Sequence, residues 1–110
     1  MTEGLKRLWP ASELFVLGHI GDGNLHFFVA PQTGEAQAAR TAELHAACDE
    51  IVYRPLERFQ GAVSAEHGIG LEKKTWLPLS RSPAEIQLMR LLKRALDPKG
   101  LLNRGKVIDA

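Results

Sequence analysis

Bulky apolar residues open the pattern in two short runs, Glu13-Leu-Phe-Val-Leu-Gly18 and Leu25-His-Phe-Phe-Val-Ala30. Both are rich in β-formers and too short for helices, so they predict two strands. The residues between them, Gly21-Asp-Gly-Asn24, include an Asp-Gly pair suited to positive φ, and an antiparallel hairpin is expected. Pro31 ends the second run, and the period then changes. Thr33 is placed to cap a helix, with Glu35 in its first turn against the helix dipole. Leu44, Cys48, Ile51, Val52, Leu56 and Phe59 recur at helical steps as one apolar stripe for packing on a sheet, and Pro55 should kink or split that helix.

Gln60-Gly61 marks a turn, and Ala62-Val-Ser-Ala65 is expected as a short third strand that carries Glu66 and His67 to the sheet edge. Ser82-Pro-Ala-Glu85 is a capping box with proline at the first helical position. The helix it starts would turn Ile86, Met89, Leu92 and Leu96 inward and end at Asp97-Pro98, before a turn and an extended tail from Lys99 to Ala110. The opening residues, with Trp9-Pro10, read as a short polar segment. The predicted class is α+β: a small, mainly antiparallel sheet with helices on one face. So few strands leave an open edge, which calls for another sheet or a second copy of the chain.

Composition narrows the class. At 110 residues the chain suits one domain, residues 1–110, with 45% hydrophobic and 25% charged residues. Fourteen basic against thirteen acidic side chains give a net charge of +1, with no basic stripe to track phosphates, so nucleic acid is not an expected partner. No apolar run approaches the ~20 residues of a membrane span, and Thr2 to Pro10 lacks the apolar core of a signal peptide. Cys48 is the single cysteine and reads as a small buried hydrophobe. With no disulfide framework to form, a cytoplasmic setting is expected.

The histidines carry the chemistry. His19 and His26 stand at the two ends of the glycine-rich turn, which the hairpin would bring together. Forty residues on, Ser64-Ala-Glu-His-Gly-Ile-Gly70 sets a carboxylate beside an imidazole. Two imidazoles and a carboxylate are a common donor set for zinc, with a position left open for water or substrate. His19, His26 and Glu66 meet that requirement if the third strand lies beside the hairpin. An ion there binds the carboxylate and hydroxyl oxygens of a small hydroxy acid and acidifies the hydroxyl. His67 would then face the same pocket as a general base, a task suited to an imidazole. The plainer alternatives are hydrogen-bonded histidines at strand ends, a surface carboxylate at Glu66 and a helix-start residue at His67. Gly18-x-x-Gly21-x-Gly23 is not the dinucleotide fingerprint and opens onto a strand, which argues against a Rossmann site. His45 is read as a solvent or packing residue. Lys73-Lys74, Arg90 and Lys93-Arg94 are read as solvated helix faces.

Gly18-His-Ile-Gly-Asp-Gly-Asn-Leu-His26, Ser64-Ala-Glu-His-Gly-Ile-Gly70 and Leu96-Asp-Pro-Lys-Gly-Leu-Leu-Asn-Arg-Gly-Lys-Val107 resemble, in order, motifs of the C-terminal domain of FAD-linked oxidases. This is the vanillyl-alcohol-oxidase-like group that includes D-lactate dehydrogenase, the glycolate oxidase D subunit and D-2-hydroxyglutarate dehydrogenase. The resemblance runs from about residue 13 to residue 108. It implies a chain that is part of a ferredoxin-like, duplicated substrate domain. It also implies His19, His26 and Glu66 as ligands of zinc or manganese, His67 as the base, and Asn103 close to the flavin. The reaction implied is oxidation of a D-2-hydroxy acid to the 2-keto acid.

Two positions depart from the family pattern. Arg104 stands where a proline is usual, which weakens the transfer of a role to Asn103. Phe28 stands where the hydroxyglutarate branch tends to carry asparagine, which favours a lactate- or glycolate-like substrate. The resemblance further implies an FAD-binding domain or subunit as partner, since the chain has little with which to hold FAD, and no oxidation by the chain alone. The rival expectation is a non-catalytic interaction module that forms a homodimer through its open sheet edge.

Overall fold

The computed structural model describes residues 1–30 and 41–109. The chain forms two compact units, Met1–Pro55 and Leu56–Ala110, and each is described by itself. The anticipated helix start at Thr33 and Glu35 lies outside the described residues.

The first unit begins with helix α1, Thr2–Leu8, where the sequence suggests only a polar segment. The missed signal is the spacing of Leu5, Leu8 and Trp9, one helical stripe, with Glu3 in the first turn and Lys6 and Arg7 in the last, where each suits the helix dipole. Strands β1, Glu13–His19, and β2, Asn24–Ala30, pair antiparallel with Leu14 opposite Val29 and Val16 opposite Phe27. Helix α2, Thr41–Tyr53, completes the unit.

The core is built by Leu5, Trp9 and Leu44, with Leu14, Phe27, Val29, Cys48, Ile51 and Val52 packed around it. Both helices therefore cover one face of the hairpin, as the α+β reading required. Gly4 permits a close approach: a Cβ there would stand 2.9 Å from the Ile51 side chain. Burial raises the Cys48 thiol above its ordinary pKa, with Asp49 nearby adding to the effect, which suits the packing role expected of it.

The helix breaks after Tyr53, and a short turn through Pro55 leads to α3, Leu56–Phe59, in the second unit. Proline thus splits the helix, because it cannot supply the amide the next turn needs. Phe59 departs from the predicted stripe and is exposed, with the Arg58 guanidinium 5.7 Å from its ring centre. Gln60 takes φ 51° and the Gly61 amide returns to the Leu56 carbonyl at 2.9 Å, which closes the turn.

Residues 62–65 are not a strand. The Ser80 hydroxyl accepts the Val63 amide at 2.9 Å and donates to the Gly61 carbonyl at 3.1 Å, so a side chain pins this segment where a ladder was expected. Among the described residues of this unit, Val63 and Leu77 are the buried apolar ones. Leu77 belongs to a 3-10 helix, Lys74–Leu79, that the apolar pattern had not suggested.

Helix α4, Pro83–Leu96, has the anticipated capping box: Ser82 Oγ accepts the Glu85 amide, and Glu85 accepts the Ser82 amide at 2.7 Å. Ile86 and Met89 are half-buried, but Leu92 and Leu96 face outward with Leu88 and Leu91. The tail is a series of turns in place of the extended segment expected, with Asn103 at φ 45° and Val107 at φ 68°.

Candidate functional site

The hairpin register decides where the two histidines point. His26 faces Leu17 and His19 faces Asn24, so both imidazoles stand on the side of the sheet away from α1 and α2. Their ring centres are 6.2 Å apart in an edge-to-face arrangement. Phe28, two residues along the same face, stacks on His26 at 6.3 Å. Phe15 and Leu17 share this face, and Phe15, Leu17 and Phe28 are each more than half exposed, at 53%, 61% and 52%. A water-facing strand surface would ordinarily alternate to polar residues, so this one is unusually apolar around its imidazoles.

The turn beneath them is tightly specified. The Asp22 and Gly23 amides both donate to the His19 carbonyl, at 3.3 and 3.0 Å, with Gly23 at φ 70°. Asp22 Oδ1 accepts the Asn24 amide at 3.0 Å, while its Oδ2 lies 3.7 Å from His19 Nδ1. From sequence Asp22 reads only as a turn-former, and its approach to His19 follows from the geometry of the turn.

Glu66 and His67 lie in the second unit, in an exposed bend where Gly68 and Gly70 adopt φ 76° and 55°. The structure thus brings His19 to His26, while Glu66 and His67 are neighbours in sequence within the bend. Among the described residues no three His, Cys, Asp or Glu side chains form a cluster able to hold a metal. The expected delivery of Glu66 by a third strand has no counterpart, since that strand is absent.

The bend is joined to the tail within the same unit. The Val107 amide donates to the Gly70 carbonyl at 2.7 Å, and Lys74 Nζ donates to the Gly105 carbonyl at 2.9 Å and pairs with Asp109. Lys93 Nζ binds both Asp97 and the Leu102 carbonyl. Asp97 in turn accepts the Leu101 and Leu102 amides at 2.8 and 2.9 Å. The Lys93 hydrogen bond, followed by those from Leu102 and Leu101, holds the Asp97 carboxyl down at about 2. Lys74 and Lys93 are therefore structural ties, not the solvated side chains expected, and Arg90 Nε likewise donates to the Asp109 carbonyl. These ties frame the exposed Asn103 between them. His45, by contrast, is exposed on α2 and takes no part.

A hairpin with paired imidazoles, a Glu-His bend and a tail tied to that bend are the three segments on which the sequence resemblance rested. The sequence profile of the FAD linked oxidases, C-terminal domain, matches residues 3–107, and the chain belongs to that family. A D-2-hydroxyglutarate dehydrogenase of Xanthomonas citri pv. viticola is 46% identical over 104 residues, covering 92% of this chain and 21% of the relative. The mitochondrial D-2-hydroxyglutarate dehydrogenase of Rattus norvegicus is 43% identical over 105 residues, 94% of this chain and 18% of the relative. D-lactate dehydrogenase (cytochrome) 1, mitochondrial, of Saccharomyces cerevisiae is 36% identical over 107 residues, 93% of this chain and 17% of the relative. The chain spans about a fifth of the length of these relatives.

Proposed function

We propose that the chain contributes the metal-binding and proton-accepting side of an active site that oxidises a small D-2-hydroxy acid to its 2-keto acid. The observation that carries this reading is the pair of imidazoles on one sheet face, 6.2 Å apart, in a chain of this family. Two imidazole nitrogens suit zinc or manganese in donor chemistry, and their separation suits a shared ion with bonds of about 2 Å. His19 and His26 would hold the ion, with Glu66 as the carboxylate ligand. Bound FAD supplies the acceptor for the α-hydride, and the divalent ion supplies the positive charge that favours the deprotonated hydroxyl.

His67 accepts the hydroxyl proton on its imidazole, and its exposed position in the bend leaves the ring accessible to substrate. Asn103, exposed on a left-handed turn flanked by the Lys93 and Lys74 ties, would lie close to a flavin carried by another domain or subunit. Phe15, Leu17 and Phe28 keep the surroundings of the imidazoles apolar, which strengthens electrostatic interactions once the face is covered. Relatives of both the hydroxyglutarate and the lactate kind resemble the chain, and Phe28 alone speaks for the smaller acids.

Zinc or manganese titration followed by calorimetry tests the reading. Stoichiometric binding lost in His26→Ala, with the hairpin still formed, is the expected result. No binding by the unaltered chain refutes the reading.

A second reading is a non-catalytic module that associates through apolar surface, favoured by the outward-facing Leu88, Leu91, Leu92 and Leu96 of α4. Concentration-dependent association that survives His26→Ala, in a chain that binds no metal, supports it instead.

A further inference from the structure

We infer that Asp22 is a positioning residue for His19: it fixes the imidazole as the Nδ1–H tautomer and so leaves Nε2 free to bind a divalent ion. The inference rests on the metal-binding reading of His19 and goes beyond it by assigning a carboxylate that is not itself a ligand. Asp22 is anchored at one end and free to act at the other. Its Oδ1 accepts the Asn24 amide at 3.0 Å, which fixes the carboxylate over the turn, and its Oδ2 is left facing His19 Nδ1 at 3.7 Å.

The same turn locks the other end of the pair, because the amides of Asp22 and Gly23 both return to the His19 carbonyl. Imidazole and carboxylate are thus held on one short backbone loop. The 3.7 Å separation is an ion-pair distance, about 0.5 Å beyond the ~3.2 Å limit of a sound N–H···O contact, and a rotation of the His19 ring would close it. A neutral imidazole carries one proton, and a facing carboxylate draws it to the near nitrogen. Metal-binding histidines generally donate their second ring N–H to such a partner, which sets the tautomer and raises ligand basicity. Phe28 stacks on the His26 ring at 6.3 Å.

Asp22→Asn tests the assignment. The amide oxygen still accepts the Asn24 amide and keeps the turn, while the negative charge facing His19 is removed. Imidazole nitrogen-15 NMR of the whole metal-free chain, in mildly alkaline buffer, reads the His19 tautomer directly. Calorimetric titration with zinc reads affinity, and cross-strand contacts between Leu17 and His26 confirm the hairpin.

In the unaltered chain His19 should be predominantly the Nδ1–H form. In Asp22→Asn that preference should disappear, and zinc should bind about 10- to 100-fold more weakly at unchanged stoichiometry. An unchanged His19 tautomer in Asp22→Asn, with the hairpin intact, overturns the inference even if zinc still binds. Abolished zinc binding with an unchanged tautomer also overturns it, because Asp22 would then be a ligand. If the tautomer shifts but the unaltered chain binds no zinc, the positioning role of Asp22 stands and the metal-binding reading falls.

Discussion

Lys74 reaches across thirty-one residues of sequence to donate to the Gly105 carbonyl, 2.9 Å away. The tie closes the 3-10 helix onto the tail, and its other partner, Asp109, is well exposed. Most of the stabilisation therefore comes from the charged hydrogen bond to the carbonyl and little from the ion pair. Lys74→Met, which keeps the apolar stem, should destabilise the second unit by about 1.5 kcal/mol. The Val107 amide, bonded to Gly70, should exchange with solvent faster in the variant, and an unchanged rate would refute the tie.

The other anchor of the tail responds to acid. The Asp97 carboxyl titrates at about 2 in the folded chain, below the ~3.9 of an unfolded aspartate, so the folded state favours the ionised form. Its contribution is complete above pH ~4 and is lost as pH falls toward 2. Glu85, lowered by its hydrogen bonds from Ser82, adds to the loss in the same direction. Thermal unfolding followed from pH 6 down to pH 2 should show a drop that is smaller in Asp97→Asn. Parallel curves for the two proteins would contradict this.

Gly18 pairs with Leu25 near the start of β2. A Cβ at this position would collide with the Asn24 carbonyl oxygen and lie 2.8 Å from the Leu25 side chain. Backbone cannot yield as a flexible side chain can, so Gly18→Ala should cost roughly 2–3 kcal/mol and separate the strands next to both histidines. Loss of cross-strand contacts between Leu17 and His26 in NMR is the check.

At the start of α4 the capping box makes a modest, well-defined contribution. Ser82→Ala leaves the Glu85 amide without its acceptor and should lower stability by about 1 kcal/mol. Ser82→Asp should restore most of it, since a carboxylate accepts the same bond and suits the helix dipole. Urea denaturation of the three proteins decides the matter.

Features encoded within a few residues were legible in the sequence. The hairpin followed from two β-rich runs and an Asp-Gly turn, and the capping box from residues 82–85 alone. Proline 55 announced the break between α2 and α3 for the same local reason. What the pattern could not show depends on partners far along the chain. Residues 62–65 have a strand-like composition, but Ser80, seventeen positions from Val63, takes the amide a ladder would have used.

Lys74 and Lys93 have the composition of solvated helix faces, and only the path of the tail reveals their carbonyl partners. Helix α1 was overlooked for a different reason. Its apolar stripe is only Leu5, Leu8 and Trp9, too short to stand out until Leu44 is seen against it. Of the site, the pairing of His19 with His26 was legible because it is set by a hairpin. The proximity of Asp22 to His19 needed the turn geometry.

The outward-facing leucines of α4 alter the thermodynamics of unfolding. Leu88, Leu91, Leu92 and Leu96 already meet water in the folded chain, so denaturation hydrates less new apolar surface than it would in a closed domain of equal length. The heat-capacity increment scales with that newly wetted surface and should fall below the usual ~12–15 cal/mol/K per residue. Calorimetry should therefore show a shallow stability curve, with the folded chain losing little on cooling.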